Sequence, residues 1–239
     1  MFKHILQPII QIDSASTMGH EAFLRPHDGT PPARFWEKAE ADGLTARMEV
    51  KSWTSVLHLA KARALRGHLF VNVTPKAILD REFREFMRMR LGKVDPGGIN
   101  LVPELVGGDD ADGDLVRAVS ILRRSGFQRI SFDDLQLDNR SLLGKIGPSD
   151  FVKISISRLE AKREEYGELF GYLRDRRARV IGKNVERAEQ VNLLAEAGIN
   201  MGQGFLWVGG GKTAGEGGQA ANATAAGGGD EPKDVPAWR

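Results

Sequence analysis

Residues 5–25, ILQPIIQIDSASTMGHEAFLR, hold two β-rich runs joined by the short segment DSASTM at 13–18. A crossover between parallel strands needs about a dozen residues or more, so this connector forces ILQPIIQI and GHEAFLR to pair antiparallel. The rest of the chain departs from that pattern. A helical region is expected from Pro32 to about Arg66, then the strand HLFVNV, a helix near Asp80 to Arg90, and the strand INLVPEL. The alternation continues through a helix near Leu115 to Arg124, the strands RISFDD and DFVKISI, and a long helix from Arg158 to Arg177. RVIGKN, a helix from Glu186 to Ala197, and MGQGF complete it. Strands separated by helices predict a mainly parallel sheet, and about eight such units suggest a closed α/β barrel of the TIM (β/α)8 type, modified at its first strand.

The whole chain fits that architecture. Its 239 residues, 41% of them apolar, can bury a substantial core in one domain spanning 1–208. From 209 to 239 the composition shifts to Gly and Ala with almost nothing to bury, which reads as a flexible extension. Within it, GGGKT is not a phosphate loop, because Leu206 stands where that pattern needs a glycine. Thirty-four basic against 32 acidic side chains leave a formal +2, too near balance to point to a nucleic acid polymer. The absence of cysteine excludes disulfides, thiolate metal sites and cysteine nucleophiles, and the five histidines lack zinc-site spacing. No apolar run reaches the roughly 18 residues needed to span a bilayer, and no leader is expected, so the default is a cytoplasmic protein without membrane attachment.

Polar side chains recur at or near the C-terminal ends of the apolar strands: Glu21, Asn72, Glu104, Asp133, Asp134, Lys153, Lys183 and Gln203. In an α/β barrel those ends share the ligand-binding face. Glu21, Glu104, Asp133 and Asp134 are hard oxygen donors and Asn72 adds a carbonyl, a set that suits magnesium or manganese and the two-ion chemistry of phosphoester cleavage. Each residue also has a plainer reading. Glu21 and Glu104 fit surface ion pairs, the Asp133–Asp134 pair fits a turn cap, and Lys153 fits an edge strand. Asn72 inside an apolar strand needs buried partners in either case.

Taken in order, these segments resemble the EAL domain, the bacterial family that hydrolyses cyclic di-GMP. LQPIIQI is similar to its QPI strand, HEAFLR to the EAL signature, FWEKAEADGL to its "FI..AE..GL" helix, and VNVTP to its NLSP. SFDDLQLDN is similar to its DDFGTG loop, FVKIS to KID, NVERAEQ to "GVET.EQ", and MGQGF to QGY. The resemblance implies an eight-stranded α/β barrel with an antiparallel first strand. It assigns Glu21, Asn72, Glu104 and Asp133 as metal ligands, Asp134 to a second metal, and Lys153 to holding the catalytic water. Glu186 and Gln203 match further site positions, while Gln7, Arg25 and Glu49 match positions that touch guanine or phosphate. It also implies dimerisation through the DD loop and its neighbouring helix.

The departures bear on activity. Where the family has AEGVE this chain has GKNVE, so Lys183 replaces the glutamate assigned to the second metal and its water. One unit-charge pair at about 4 Å is worth about 4 kcal/mol even at an effective dielectric near 20, so reversing its sign weakens metal occupancy by orders of magnitude. A protonated lysine also cannot accept a proton from water. Gly107 stands where the family has the second glutamate of an "E..E" pair, Leu135 to Asp138 replace FGTG, Ser155 replaces the aspartate of KID, and Phe23 replaces the leucine of EAL. The expectation is a degenerate, regulatory, non-hydrolytic EAL domain that binds cyclic di-GMP or a protein partner, with magnesium or manganese weakly held at most. The alternative is an active phosphodiesterase releasing the linear dinucleotide pGpG.

Overall fold

A computed structural model describes residues 2–90, 98–106, 113–135 and 140–208. The extension at 209–239, Gly107, and residues 136–138 of the altered loop lie outside these described residues. Strands β1 (Phe2–Gln11) and β2 (Ser16–Pro26) pair antiparallel, with Gln7 opposite Glu21, as the short connector requires. β3 (Gly67–Val73), β4 (Ile99–Leu105), β5 (Ser131–Asp133), β6 (Phe151–Ser155), β7 (Arg179–Lys183) and β8 (Met201–Gly202) follow in parallel order. β8 returns to β1 through Ile10–Gly202 and Gln11–Met201 and closes the barrel.

Two long helical expectations are corrected. The region from Pro32 to Arg66 is two helices, α1 (Pro32–Ala41) and α2 (Thr45–Ala62), because Gly43 at φ +67° breaks the run. The Arg158–Arg177 helix is α7 (Ile156–Ala161) and α8 (Arg163–Asp175), divided at Lys162, whose φ of −137° is not helical. Two short helices were not foreseen: α3 (Pro75–Leu79), capped by the Thr74 hydroxyl accepting from the Ala77 amide, and α6 (Arg140–Leu143). α4 (Arg81–Arg90), α5 (Asp114–Arg124) and α9 (Ala188–Glu196) lie where the periodicity places them, although α9 starts after Glu186.

Both strand faces are apolar because both are covered. Outward residues such as Leu69, Val71 and Val73 pack under the helices, where α2 buries Trp53, Val56 and Ala60 and α5 buries Leu115, Ala118, Val119 and Leu122. That spacing is one helix face, and each large side chain so buried contributes about 1.5–3 kcal/mol. Inside the barrel a second cluster, Ile9, Phe70, Val102, Phe151, Ile181 and Met201, forms an apolar plug. It separates the two mouths of the barrel.

Candidate functional site

Side chains alternate in a strand, so the residue two positions beyond a plug residue faces the same interior. Towards the C-terminal strand ends this step leads from Phe70 to Asn72, Val102 to Glu104, Phe151 to Lys153, Ile181 to Lys183 and Met201 to Gln203. On the reversed β1 it leads from Ile9 to Gln7. A polar layer therefore rests on the apolar plug at the upper mouth. Glu21 joins it from the middle of β2 rather than its end, because that strand runs on to Pro26.

Lys153 is the centre of the layer. Its ammonium lies 2.5 Å from Glu21 Oε2, 2.6 Å from Glu104 Oε2 and 5.0 Å from the Phe70 ring centroid, with the residue only 1% exposed. It is neither an edge-strand nor a surface lysine. Burial disfavours its charge, but Glu104 and Glu21 carry it above the usual lysine range. Glu21 also accepts from Asn72 Nδ2 at 2.9 Å and from Gln203 Nε2 at 2.8 Å, and Gln203 reaches Gln7 Oε1 at 3.0 Å. Burial and the adjacent Glu21 push Glu104 up to about 8.

Lys183 makes the second centre. Its ammonium donates to Asp133 Oδ1 at 2.6 Å and lies 2.8 Å from Asp134 Oδ2. Burial opposes its charge, and the two aspartates raise it above the ordinary lysine range. Two left-handed residues frame the pair, Asp134 at φ +51° and Asn184 at φ +62°. Asp and Asn are the side chains that tolerate this conformation best after glycine. Both aspartates thus pair with Lys183, and residues 136–139, where a turn capped by them would lie, are outside the described residues.

The other candidates divide. Arg25, near the end of β2, donates from Nη1 to Leu24 O at 2.8 Å and lies 5.5 Å from the Phe23 ring centroid. Glu49 is buried on α2, accepts from the Thr74 amide at 3.1 Å, and has Oε2 without a hydrogen-bond partner among the described residues. Burial pushes it up to about 8. Glu186 is exposed, and its side chain makes no polar contact with either lysine centre among the described residues. Residues missed in the sequence are Phe70, under the Lys153 ammonium, and Trp53, whose indole donates to Asn72 O at 3.0 Å. The period-two step from Asn72 pointed to Phe70; no sequence signal pointed to Trp53.

The oxygen donors of Glu21, Asn72, Glu104 and Asp133 fit the chemistry of one hard dication, which would favour the ionised form of Glu104. Such an ion would have to compete with Lys153. Asp133 and Asp134 are a poorer place for a second one, because the Lys183 ammonium already contacts both and cancels one of their two negative charges. Among the described residues no three acidic or histidine side chains are gathered around a point that could hold a metal ion.

A family model described as "EAL domain" matches residues 2–209. The fold is similar to that of a Klebsiella pneumoniae BlrP1 manganese/cyclic di-GMP complex, with 20% identity, TM-score 0.71, and coverage of 86% of this chain and 55% of that one. It is also similar to the PaMucR phosphodiesterase in its cyclic di-GMP complex, with 20% identity, TM-score 0.70, and coverage of 86% and 94%. The Xanthomonas citri FimX EAL domain complexed with cyclic di-GMP matches at 19% identity and TM-score 0.69, covering 85% of each chain. The chain thus spans about half the length of the Klebsiella protein it matches. No curated protein matches it. Among the described residues no helix is long and apolar enough to cross a membrane.

Proposed function

Because this chain belongs to the EAL domain family, we propose that it is a regulatory, non-hydrolytic member that binds cyclic di-GMP at the upper mouth of the barrel. The observation that carries this reading is the Lys183 ammonium, 2.6 Å from Asp133 and 2.8 Å from Asp134, where a second dication would need anionic ligands. The pair leaves those carboxylates committed to a fixed internal cation.

The residues then act as follows. A magnesium or manganese ion at Glu21, Asn72, Glu104 and Asp133 would be weakly held, because it would have to displace Lys153 from the two glutamates and Lys183 from Asp133; when bound it supplies charge neutralisation beside a phosphate. Lys153 keeps Glu21 and Glu104 together without it. Arg25 offers a guanidinium, whose planar fork suits phosphate oxygens, and Gln7 and Gln203 orient each other at the floor of the mouth. Lys183 faces a phosphodiester as a cation and cannot take a proton from water while it is charged.

Calorimetric titration with cyclic di-GMP in EDTA tests the reading, beside a turnover assay with manganese. Saturable binding with a Kd at or below about 10 μM and no linear dinucleotide supports it. Release of pGpG above background would make the protein a phosphodiesterase. Absence of binding heat would leave protein interaction as the role of the fold.

A further inference from the structure

The mouth opposite the carboxylates has a charge pattern that the upper site does not use. Two residues below Phe70 comes His68, below Ser131 comes Arg129, and below Ile181 comes Arg179; on the reversed β1, Gln11 follows Ile9. His68 packs edge-on against Phe151, with centroids 5.3 Å apart, and the Arg179 guanidinium lies 5.7 Å from the same ring. Burial, Arg129 and Arg179 all hold the His68 imidazole below its usual range. Both His68 ring nitrogens and Arg129 Nε are buried without a hydrogen-bond partner among the described residues. Neither His68 nor Arg129 lines the cavity that Arg179 borders on the same side of the plug.

That cavity, of about 540 Å³, is formed by the end of α8, the start of β7 and the turn from α9 to β8. Arg174 and Arg177 line it beside Asn200, and Phe170 and Ile199 supply apolar wall. Among the described residues none of these three arginines forms an ion pair and no carboxylate lines the cavity; Asp175 and Glu196, adjacent in sequence, lie outside it. The lower end of such a barrel ordinarily serves stability. Here three guanidinium-bearing side chains line one cavity with no carboxylate among its lining residues. An anion would supply what is missing, and the planar guanidinium fork matches phosphate oxygens. The volume is that of a small-molecule site.

We propose that this cavity is a second binding site, taking a phosphate monoester that carries an aromatic or apolar group. Arg174, Arg177 and Arg179 hold the phosphate, and the organic group lies against Phe170 and Ile199. The site is independent of the nucleotide reading above, because the apolar plug stands between the two mouths.

Calorimetric titration of the full chain with phenyl phosphate, benzoate and inorganic phosphate tests it. Phenyl phosphate should bind with a Kd below about 1 mM, at least about fivefold tighter than either comparator. R177E/R179E should weaken it at least about tenfold, while Lys183→Ala at the upper mouth changes it less than about twofold. The arginines are exposed, so the fold should tolerate the change; Arg174→Ala alone, expected to weaken binding about threefold, provides a milder second variant. No saturation by about 10 mM, equal binding of inorganic phosphate or benzoate, or loss in Lys183→Ala matching that in the arginine variant would each overturn the proposal.

Discussion

Lys183 holds Asp133 and Asp134 from the facing strand end, 2.6 and 2.8 Å from its ammonium, so the charge balance at the upper mouth is set by a side chain. Lys183→Glu would put three carboxylates together. It should lower stability in EDTA by about 2–4 kcal/mol, and manganese should restore much of that. Thermal melts with and without manganese check both. The same variant is expected to fall short of full phosphodiesterase activity, because the replacements at Gly107 and in the altered loop remain.

Lys153→Met should cost about 3–5 kcal/mol, since it leaves Glu21 and Glu104 buried together without their cation. Adding Glu104→Gln should recover part of the loss, which urea denaturation of the single and double variants would measure.

Asp150 should matter as much, although it has no place in the site. Its carboxylate accepts from the Ile130 amide at 2.8 Å and the Gly147 amide at 2.7 Å and pairs with Arg123, with the residue fully buried. Asp150→Ala strands all three donors and should destabilise by about 3–5 kcal/mol by urea midpoint.

Gly182 stands where a Cβ would meet Leu194 Cδ2 at 2.4 Å. Gly182→Ala should therefore cost about 1–3 kcal/mol through displacement of α9. With Leu194→Ala in the background the penalty should shrink, and a double-mutant cycle reads that coupling.

The buried Glu49 sets a pH dependence. Its pKa is pushed up to about 8 by burial, above its ordinary value of 4.5, so the folded state holds its proton after the unfolded state has lost it. The stability this neutral carboxyl supports is complete below about pH 4.5 and is lost as pH rises through about 8. Glu49→Gln should keep the contact to the Thr74 amide and flatten the urea midpoint between pH 5 and 8, a difference on the order of 3 kcal/mol.

Much of this is legible in the sequence. DSASTM fixed the antiparallel first pair, and the alternation fixed the barrel, because both depend on local length and period. The upper layer was legible as a set of strand-end residues. Its pairing was not: that Lys153 would select Glu21 and Glu104, and Lys183 the two aspartates, depends on which strands meet across the barrel. The divisions at Gly43 and Lys162 escaped because apolar periodicity continues across them. Glu186 matches a site position by its motif; it lies beyond the end of its strand at Lys183 and is exposed, so the barrel register does not set its direction.

β8 joins its antiparallel neighbour through only two residue pairs and its parallel neighbour through one, so the ring has a seam. Opening should begin there, and amide hydrogens along Met201 and Gly202 should exchange before those of the long β1–β2 ladder. Gln203, one step past the seam, is tied to both Gln7 and Glu21. A molecule that tightens those ties from above would latch the seam as well, and its arrival would be recorded as slowed exchange at a strand it need not touch.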